Sequence, residues 1–261
     1  MYDLNAISTE TILRAPRTVL IGVEKIGKST FAASSVNPIF LPIKGEEGID
    51  DLHVAKVPTC NTIEDVISWL QTLQKEEHNY KTIVLDSVSA LDPLIHEHVC
   101  KIKGVDSIDD VGGGYGKGYT EAVTVWRNLT NWLDSLRALR NMACILIGHV
   151  KVKRFDDPNG ESYDQYQLDA HERVANLLYR WADCILFANT KVVVKKTDIG
   201  FGKEKKQGIE INPGARYLYT QKRPGHPGGG RGVYGQLPYE LPLSWEVFCN
   251  AVAAGMNSGK N

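Results

Sequence analysis

A phosphate-binding motif lies near the start of this chain of 261 residues. Residues 22–29 read GVEKIGKS and fit the pattern G-x-x-x-x-G-K-[ST] at every required position, directly after the apolar run TVLI. Such a loop opens a helix, points backbone N–H groups at a polyphosphate and uses glycine to bring the backbone close. Lys28 would reach the β- and γ-phosphates, and Ser29 would hold Mg²⁺ through its hydroxyl group. We predict a P-loop whose nucleotide-contacting residues are Gly22, Val23, Glu24, Lys25, Ile26, Gly27, Lys28, Ser29 and Thr30.

A second element of a nucleotide site ends at Asp86. Residues 82–86 read TIVLD, an apolar run that ends in an aspartate and is typical of a Walker B strand, whose carboxylate holds the Mg²⁺ shell. An apolar run ending in aspartate is common by itself. This one follows Lys28 by 58 residues with one predicted strand between them, which makes the pair more specific. We expect Ser29 and Asp86 to hold the metal ion.

Polar side chains follow two more predicted strands. Residues 38–43 read PIFLPI and precede Glu46 and Glu47, and residues 143–148 read ACILIG and precede His149. In open α/β sheets, ligands bind outside the carboxyl ends of the strands, so these side chains are expected near Asp86. We interpret His149 as a sensor of the terminal phosphate; the alternative is a strand-end histidine bonded to the backbone.

Two polar segments between the strands combine basic and aromatic residues. Residues 104–120 are rich in glycine, and flexible aromatics beside a lysine suit stacking on unpaired bases. An ordinary loop whose tyrosines pack against the following helix is the alternative. Residues 150–169 are long for a connection without secondary structure, and such loops are usually functional. The first segment contains the candidate base-stacking residues Tyr115, Lys117 and Tyr119, and the second contains the basic residues Lys151, Lys153 and Arg154.

Basic residues are concentrated between Lys191 and Arg231. This stretch contains ten Lys or Arg residues and three acidic residues, a local net charge of +7, whereas the whole chain has a net charge of −1. Such a stretch can neutralise nucleic-acid phosphates. The alternative is a solvated loop whose lysines only keep it soluble.

The composition argues against several classes of protein. The five cysteines are scattered without C-x-x-C spacing, which disfavours a disulfide framework and a zinc site. His96 and His98 are two residues apart on a predicted helix and would point to nearly opposite sides, which disfavours a metal site there. The sequence contains no run close to the length of a membrane span and no signal peptide pattern, so we expect a cytoplasmic protein without a membrane partner.

The predicted elements form one α/β core, which the hydrophobic content of 43% is sufficient to fill. Helices are predicted from Asn61, from Ala122 and around Val174, and a short helix over 243–253 closes the chain. An antiparallel pair is predicted to join 191–196 to 216–220 around a basic tip.

The order of these elements resembles that of the RecA-like ATPases. The pieces GEEGIDDL, IVLDSVSALD, GYGKGYT, ILIGHVKVKRFDDP, WADCILFA and LPYELPLSW are similar to the phage nucleotide-binding proteins of that fold, some of which are regarded as ATP-dependent single-strand annealing proteins or small recombinases. The resemblance covers residues 15–250. It implies a RecA-like P-loop NTPase core, a mainly parallel sheet flanked by helices, with a C-terminal antiparallel hairpin.

The resemblance also implies an activity and its partners. We expect an ATPase that uses ATP and Mg²⁺, is coupled to single-stranded DNA in phage-type recombination or annealing, and forms a homo-oligomer, either a ring or a filament. A single-strand binding protein is a further expected partner. The implied organisation is a lead-in over 1–15, a RecA-like ATPase domain over 16–240 that includes a basic hairpin and Gly-rich loop over 191–235, and a C-terminal helix and tail over 241–261.

Several residues take roles from this resemblance. Glu46 matches the catalytic glutamate that orients the attacking water, with Glu47 as the second candidate. Asp86 matches the Walker B aspartate, and His149 matches the polar switch between nucleotide and DNA. The segments 104–120 and 151–169 correspond in position to two DNA-facing loops, which makes their candidate DNA contacts Tyr115, Lys117, Tyr119, Lys151, Lys153 and Arg154. Arg231 matches an arginine that acts on the neighbouring subunit's nucleotide. The lysine that accompanies this arginine in the family is missing here, and Lys222 or Arg223 could substitute.

Two other functions remain open at this stage. A P-loop kinase or other phosphotransferase would need an acceptor lid and no basic hairpin, and the strand between the two Walker elements disfavours it. A DNA-binding mediator that uses ATP as an assembly signal and barely hydrolyses it would share all of these motifs.

Overall fold

The computed structural model describes residues 4, 7–9, 14–46, 48–158, 160–198, 204–210 and 212–258, with the backbone alone for 193–198, 204–210 and 258. Glu47, much of the predicted lead-in and the tip of the basic segment around Lys203 lie outside the described residues.

Strands and helices alternate along the described chain. The thirteen strands in this part of the chain are β1 (Arg17–Gly22), β2 (Pro38–Pro42), β3 (Ala55–Lys56), β4 (Thr82–Asp86), β5 (Ala143–Gly148), β6 (Val150–Phe155), β7 (Tyr163–Leu168), β8 (Cys184–Asn189), β9 (Val192–Asp198), β10 (Glu204–Glu210), β11 (Tyr217–Tyr219), β12 (Gly229–Gly230) and β13 (Glu240–Pro242). The α-helices are α1 (Lys28–Ala33), α2 (Ile63–Lys75), α3 (Val88–Lys103), α4 (Lys117–Arg140), α5 (Glu172–Trp181) and α6 (Trp245–Ser258), and short 3₁₀ helices span Ile108–Gly113 and Gly232–Gln236.

The main sheet has nine strands in the order β13-β11-β8-β1-β5-β4-β2-β3, with β12 paired to β8. The strands from β8 to β3 run parallel to one another, whereas β11, β12 and β13 are antiparallel to their neighbours. The predicted fold class, a mainly parallel sheet flanked by helices with antiparallel C-terminal strands, is thereby confirmed. Because parallel strands end at one edge, the residues after β1, β2, β4 and β5 lie side by side.

Alternate side chains of the central strands enter two different cores. Val19 and Ile21 of β1 face the core that α2 to α5 cover, whereas Leu20 faces the core that α1 and α6 cover. Burial on both faces explains why these strands are apolar throughout. The largest fully buried side chain is Trp126 of α4, and its Nε1 donates a hydrogen bond of 2.8 Å to Oδ1 of Asp92. Burying a side chain of this kind contributes about 1.5–3 kcal/mol to folding.

Two helices begin at other residues than the sequence pattern indicates. The N-cap of α2 is Thr62, whose hydroxyl accepts a bond from the N–H of Asp65, while the Asp65 carboxylate accepts one from the N–H of Thr62. The predicted start at Asn61 with Glu64 is one residue early, because aspartate replaces the usual glutamate of this capping box. Helix α4 begins at Lys117, before the predicted Ala122, directly after Gly116 in the left-handed conformation (φ 70°).

Two segments pair differently from the prediction. Residues 150–169, predicted to lack secondary structure, contain the antiparallel hairpin β6–β7, with Val150 opposite Leu168. The predicted pairing of 191–196 with 216–220 is wrong, because β9 pairs with β10 and β11 joins the main sheet beside β8. Pairing β9 with the strand that follows it closes a shorter loop, which costs less conformational entropy.

The C-terminal helix α6 packs against the P-loop helix α1. Phe248 and Trp245 of α6 lie with their ring centroids 5.9 Å and 5.2 Å from the ring of Phe31. The helix predicted over 243–253 is present, but it begins two residues later, at Trp245, and ends five residues later, at Ser258. None of the helices in the described ranges is both long and apolar enough to cross a bilayer.

Candidate functional site

The loop between β1 and α1 is shaped to hold an anion. Gly22 ends β1 against β8, where any Cβ would collide with the carbonyl oxygen of Ala188. Gly27 is the N-cap of α1 and has φ 105°, a conformation that favours glycine. The free N–H groups of the helix N-terminus and the adjoining loop can therefore face a phosphate.

Lys28 lies inside this loop. Its side chain is 6% exposed, and Nζ donates hydrogen bonds of 3.0 Å and 2.9 Å to the carbonyl oxygens of Gly22 and Val23. Burial lowers the pKa of Lys28, and the nearby carboxylates of Asp86, Glu46 and Glu24 oppose that shift. The ammonium group is thus held at the mouth of the loop by weak partners that a phosphate can replace.

Ser29 and Asp86 meet at the predicted metal position. Ser29 Oγ donates a hydrogen bond of 2.7 Å to Oδ2 of Asp86, and Asp86 is 4% exposed. Burial, together with the charge of Glu46, raises the pKa of Asp86, against the hydrogen bond from Ser29 and the charge of Lys28. A hydroxyl and a carboxylate are oxygen donors of the kind that Mg²⁺ accepts, so these two residues fit the ion.

Glu46 is held from two sides. Its Oε1 accepts a hydrogen bond from Ser87 Oγ and lies 3.0 Å from Nε2 of His149. Burial opposes ionisation of Glu46, but the hydrogen bonds from His149 and Ser87 and the charges of His149 and Lys28 outweigh it and lower the pKa of Glu46. Glu46 is therefore an ionised carboxylate at neutral pH, as a group that orients water must be.

One cleft of about 420 Å³ joins these side chains. The residues that line it are Glu24, Lys25, Gly27, Lys28, Ser29, Thr30, Glu46, Gly48, Asp86, His149 and Arg216. The structure thus brings together Lys28, Ser29, Glu46, Asp86 and His149, all of which the sequence places at this site.

Arg216 is a cleft residue that sequence reasoning missed. A Cβ built on Gly27 would lie 2.9 Å from Nη1 of Arg216. The arginine reaches this edge because β11 runs antiparallel to β8, with Tyr217 opposite Asn189. The sequence signal was weak, since Arg216 is one of ten basic residues in the stretch 191–231.

Arg231 lies at the other end of the sheet. Gly230 pairs with Cys184 at the start of β8, and the Arg231 guanidinium donates to the carbonyl oxygen of Arg180 and lies 3.8 Å from Asp183 Oδ1. Arg231 therefore does not reach the cleft of its own chain. Its predicted action on a neighbouring subunit stays a prediction, as do the roles of Lys222 and Arg223, the latter with Cζ 4.3 Å from the ring centroid of Tyr239.

The basic residues of the β6–β7 hairpin line a second cleft, of about 780 Å³. Lys151, Lys153, Arg154 and Lys222 contribute to its wall. Two of these lysines are paired, Lys151 Nζ with Asp169 at 3.2 Å and Lys153 Nζ with Glu172 at 3.0 Å, and both pairs are largely exposed.

The glycine-rich segment lies next to this hairpin. Arg173, at the start of α5, donates to the carbonyl oxygen of Gly116 and to Thr120 Oγ1, so the two predicted DNA-facing segments meet at one end of α5. Tyr115 is 99% exposed. Tyr119 instead belongs to α4 and stacks on His171, the N-cap of α5, with ring centroids 4.1 Å apart, which neither interpretation of its segment anticipates. Lys117 Nζ donates to the carbonyl oxygen of Gly112.

Comparison with known proteins identifies one family. Residues 14–232, most of the chain, match the sequence model AAA_24, described as AAA domain. This is a P-loop NTPase family, and its domain binds and hydrolyses ATP, typically with Mg²⁺. No protein of curated function matches the chain.

Proposed function

The chain belongs to the AAA domain family of P-loop NTPases, and from that premise we propose that it couples ATP hydrolysis to the binding of single-stranded DNA in recombination or strand annealing of the phage type. The observation that carries the proposal is the contact between Glu46 and His149. His149 directly precedes the basic hairpin β6–β7, so one hydrogen bond connects the hydrolytic cleft to the candidate DNA surface.

Hydrolysis in this cleft needs positioning and charge neutralisation more than covalent chemistry. Lys28 would leave the carbonyl oxygens of Gly22 and Val23 and bind the outer phosphates. Ser29 and Asp86 would hold Mg²⁺, which neutralises charge on the phosphates when bound. Glu46 would orient a water molecule for attack on the γ-phosphorus, so that the bond to the β-phosphate oxygen breaks and ADP and inorganic phosphate leave.

Glu46 can orient water while it keeps both of its present partners. Ser87 and His149 both bind one oxygen, Oε1, so the second oxygen, Oε2, would accept the hydrogen bond from the water molecule. His149 is anchored by its backbone, whose N–H donates to Ser89 Oγ at 3.0 Å and whose carbonyl accepts from Asp169 at 2.9 Å. A change at the His149 ring would therefore act on the first pair of the hairpin, Val150 and Leu168.

The charges around the hairpin support a polyanionic partner. Strand β6 carries three basic residues, Lys151, Lys153 and Arg154, and Lys222 lines the same cleft. Exposed ion pairs such as those with Asp169 and Glu172 contribute about 0–1 kcal/mol each, so phosphates can replace these carboxylates at little cost. The exposed ring of Tyr115, from the neighbouring glycine-rich segment, can stack on an unpaired base.

Assembly into a homo-oligomer is part of the proposal. A basic side chain from one subunit that neutralises the phosphoryl group on the next would speed hydrolysis and couple it to assembly on DNA. Arg231, Lys222 and Arg223 are exposed and remain the candidates for this role.

Measuring ATP turnover with and without oligonucleotides tests the proposal. We expect single-stranded DNA to raise turnover more than duplex DNA does. Glu46→Gln should abolish the stimulated rate, because the amide cannot accept a proton from water, and Glu97→Gln, an exposed glutamate on α3, should not. Turnover that no oligonucleotide changes would refute the coupling, and equal turnover in Glu46→Gln and wild type would favour a mediator that only binds ATP.

A further inference from the structure

We infer that Arg216 binds the α- and β-phosphates of the nucleotide from within the same chain. The inference rests on the proposed nucleotide site and adds to it a residue that the P-loop and Walker motifs do not contain. Arg216 lies outside both motifs and reaches the site only through the pairing of β11 with β8.

The position of the guanidinium group relative to Gly27 is the first argument. Nη1 of Arg216 lies where a side chain on Gly27 would be, 2.9 Å from the ideal Cβ. Gly27 is the N-cap of α1, and the backbone N–H groups of a P-loop cradle the α- and β-phosphates. A guanidinium at this point can donate to the same phosphate oxygens from the open side of the loop.

The backbone of Arg216 is fixed, and its guanidinium group is in no ion pair with the residues that the structure describes. Its carbonyl oxygen accepts a hydrogen bond of 2.9 Å from the N–H of Leu243, and the next residue, Tyr217, pairs with both β8 and β13. Across the described part of the chain, no carboxylate forms an ion pair with Arg216. An arginine held beside an anion-binding loop and outside the described ion pairs is suited to an anionic ligand.

The surroundings of Arg216 distinguish the inner phosphates from the terminal one. Arg216 also lines an adjoining cleft of about 420 Å³ that includes Thr30, Phe31 and Trp245 but none of Glu46, Asp86 and His149. Arg216 therefore lies where the two clefts meet, beside Gly27 and Thr30, which line both of them. A residue in that position binds ADP and ATP alike.

Nucleotide affinity of the full chain tests this inference. Binding of ADP and of ATP with Mg²⁺ is measured by calorimetry for wild type, Arg216→Ala, Arg216→Lys and Arg127→Ala, a matched control on the exposed face of α4. We expect Arg216→Ala to weaken both nucleotides about tenfold and by the same factor. Arg216→Lys should recover part of the affinity, because it keeps the charge but not the fork of donors, and Arg127→Ala should match wild type. In steady state, KM for ATP should rise while kcat stays within about twofold.

Each other outcome overturns a defined part of the account. Unchanged affinity in Arg216→Ala, in a protein whose circular dichroism matches wild type, refutes the role of Arg216. Loss of ATP affinity with unchanged ADP affinity places the arginine at the γ-phosphate instead and also refutes the inference. If Arg216→Ala does not fold, the test rests on Arg216→Lys. Nucleotide affinities and a KM for ATP that both equal those of wild type in Arg216→Lys would then refute the role of Arg216. A wild-type chain that binds neither nucleotide would refute the nucleotide site itself.

Discussion

Ser29 Oγ and Asp86 Oδ2 are 2.7 Å apart although the two residues are 57 positions apart in the chain. The bond joins the first turn of α1 to the end of β4, strands β1 and β4 being separated in the sheet by β5 alone. It places a hydroxyl and a buried carboxylate, each a ligand type for Mg²⁺, beside the lysine of the P-loop.

The raised pKa of Asp86 predicts a pH dependence of magnesium-dependent nucleotide binding. Burial raises the pKa of Asp86, and only the ionised form can bind the metal. Affinity for Mg²⁺-ATP should therefore fall on acidification already above pH 3.9, the approximate pKa of an ordinary aspartate. The stability of the metal-free protein depends on pH in the opposite direction. Protonation of Asp86 stabilises the folded state, and this contribution is lost as pH rises through the raised pKa.

Calorimetric titrations across this pH range check the prediction. Asp86→Asn is the control, because it removes the titrating carboxylate. Its affinity for Mg²⁺-ATP should be weaker than that of wild type and should not show the additional loss on acidification that protonation of Asp86 causes in wild type. Identical pH profiles in the two proteins would contradict it.

His149→Ala should uncouple the cleft from the hairpin. Removing the imidazole deletes the bond to Glu46 without touching Lys28, Ser29 or Asp86, so we expect nucleotide affinity to stay near that of wild type. The stimulation of ATP turnover by single-stranded DNA should drop towards a ratio of one. His53→Ala, an exposed histidine, is the control. Full stimulation in His149→Ala would show that the coupling takes another route.

Freeing the hairpin lysines should strengthen DNA binding. Asp169→Asn combined with Glu172→Gln removes the partners of Lys151 and Lys153, and affinity for a single-stranded oligonucleotide should rise severalfold, since each exposed pair is worth about 0–1 kcal/mol. The control double variant, Glu77→Gln with Asp50→Asn, changes the net charge by the same amount and frees Arg140 and Lys56, which lie outside the two candidate DNA-contacting segments. Fluorescence anisotropy measures both. An equal gain in the two double variants would mean that net charge, and not this surface, is responsible.

Asp183 stabilises the amino end of the sheet. Burial alone would raise the pKa of Asp183, but hydrogen bonds from Arg17 and the charges of Arg17 and Arg137 outweigh it and lower the pKa. The stabilisation is therefore complete above the pKa of the unfolded aspartate and is lost as pH falls through the folded value.

Asp183→Asn should lower the free energy of unfolding at neutral pH by about 3 kcal/mol, because it removes the carboxylate that pairs with Arg137 and leaves Arg17 with Asp134 as its remaining partner. Asp50→Asn, whose ion pair with Lys56 is exposed, should cost less than about 1 kcal/mol. Urea unfolding of the two variants measures the difference. A loss at Asp183 no larger than that at Asp50 would contradict the prediction.

Local motifs account for the part of the site that could be predicted from the sequence. The P-loop and the Walker B strand are each encoded in one short stretch of sequence. The parallel sheet then places Glu46 and His149 at the same edge. Arg216 could not be predicted, because its position depends on β11 pairing with β8 across the sheet.

The hairpin β6–β7 and the start of α4 were missed for a different reason. Residues 150–155 read VKVKRF and alternate like a strand over four positions only, which is a weak signal. The hairpin lies outside the main sheet, and its Val152 is 60% exposed, so a buried apolar run does not mark it. Tyr119 was predicted to be a mobile stacking residue, yet it belongs to the first turn of α4 and stacks on His171. Gly112, Gly113, Gly114 and Gly116 conceal that helix start in the sequence.

The central claim is tested most directly by the affinity of the full chain for a fluorescent single-stranded oligonucleotide. The affinity is measured at fixed salt in three conditions: with a non-hydrolysable ATP analogue, with ADP and without nucleotide. The account predicts that the analogue increases the affinity of the wild-type protein for the oligonucleotide about 5–150-fold, the usual range of coupling between two sites. The oligonucleotide affinity of Lys28→Ala should be the same with and without the analogue. Equal affinity of the wild-type protein under all three conditions would contradict it.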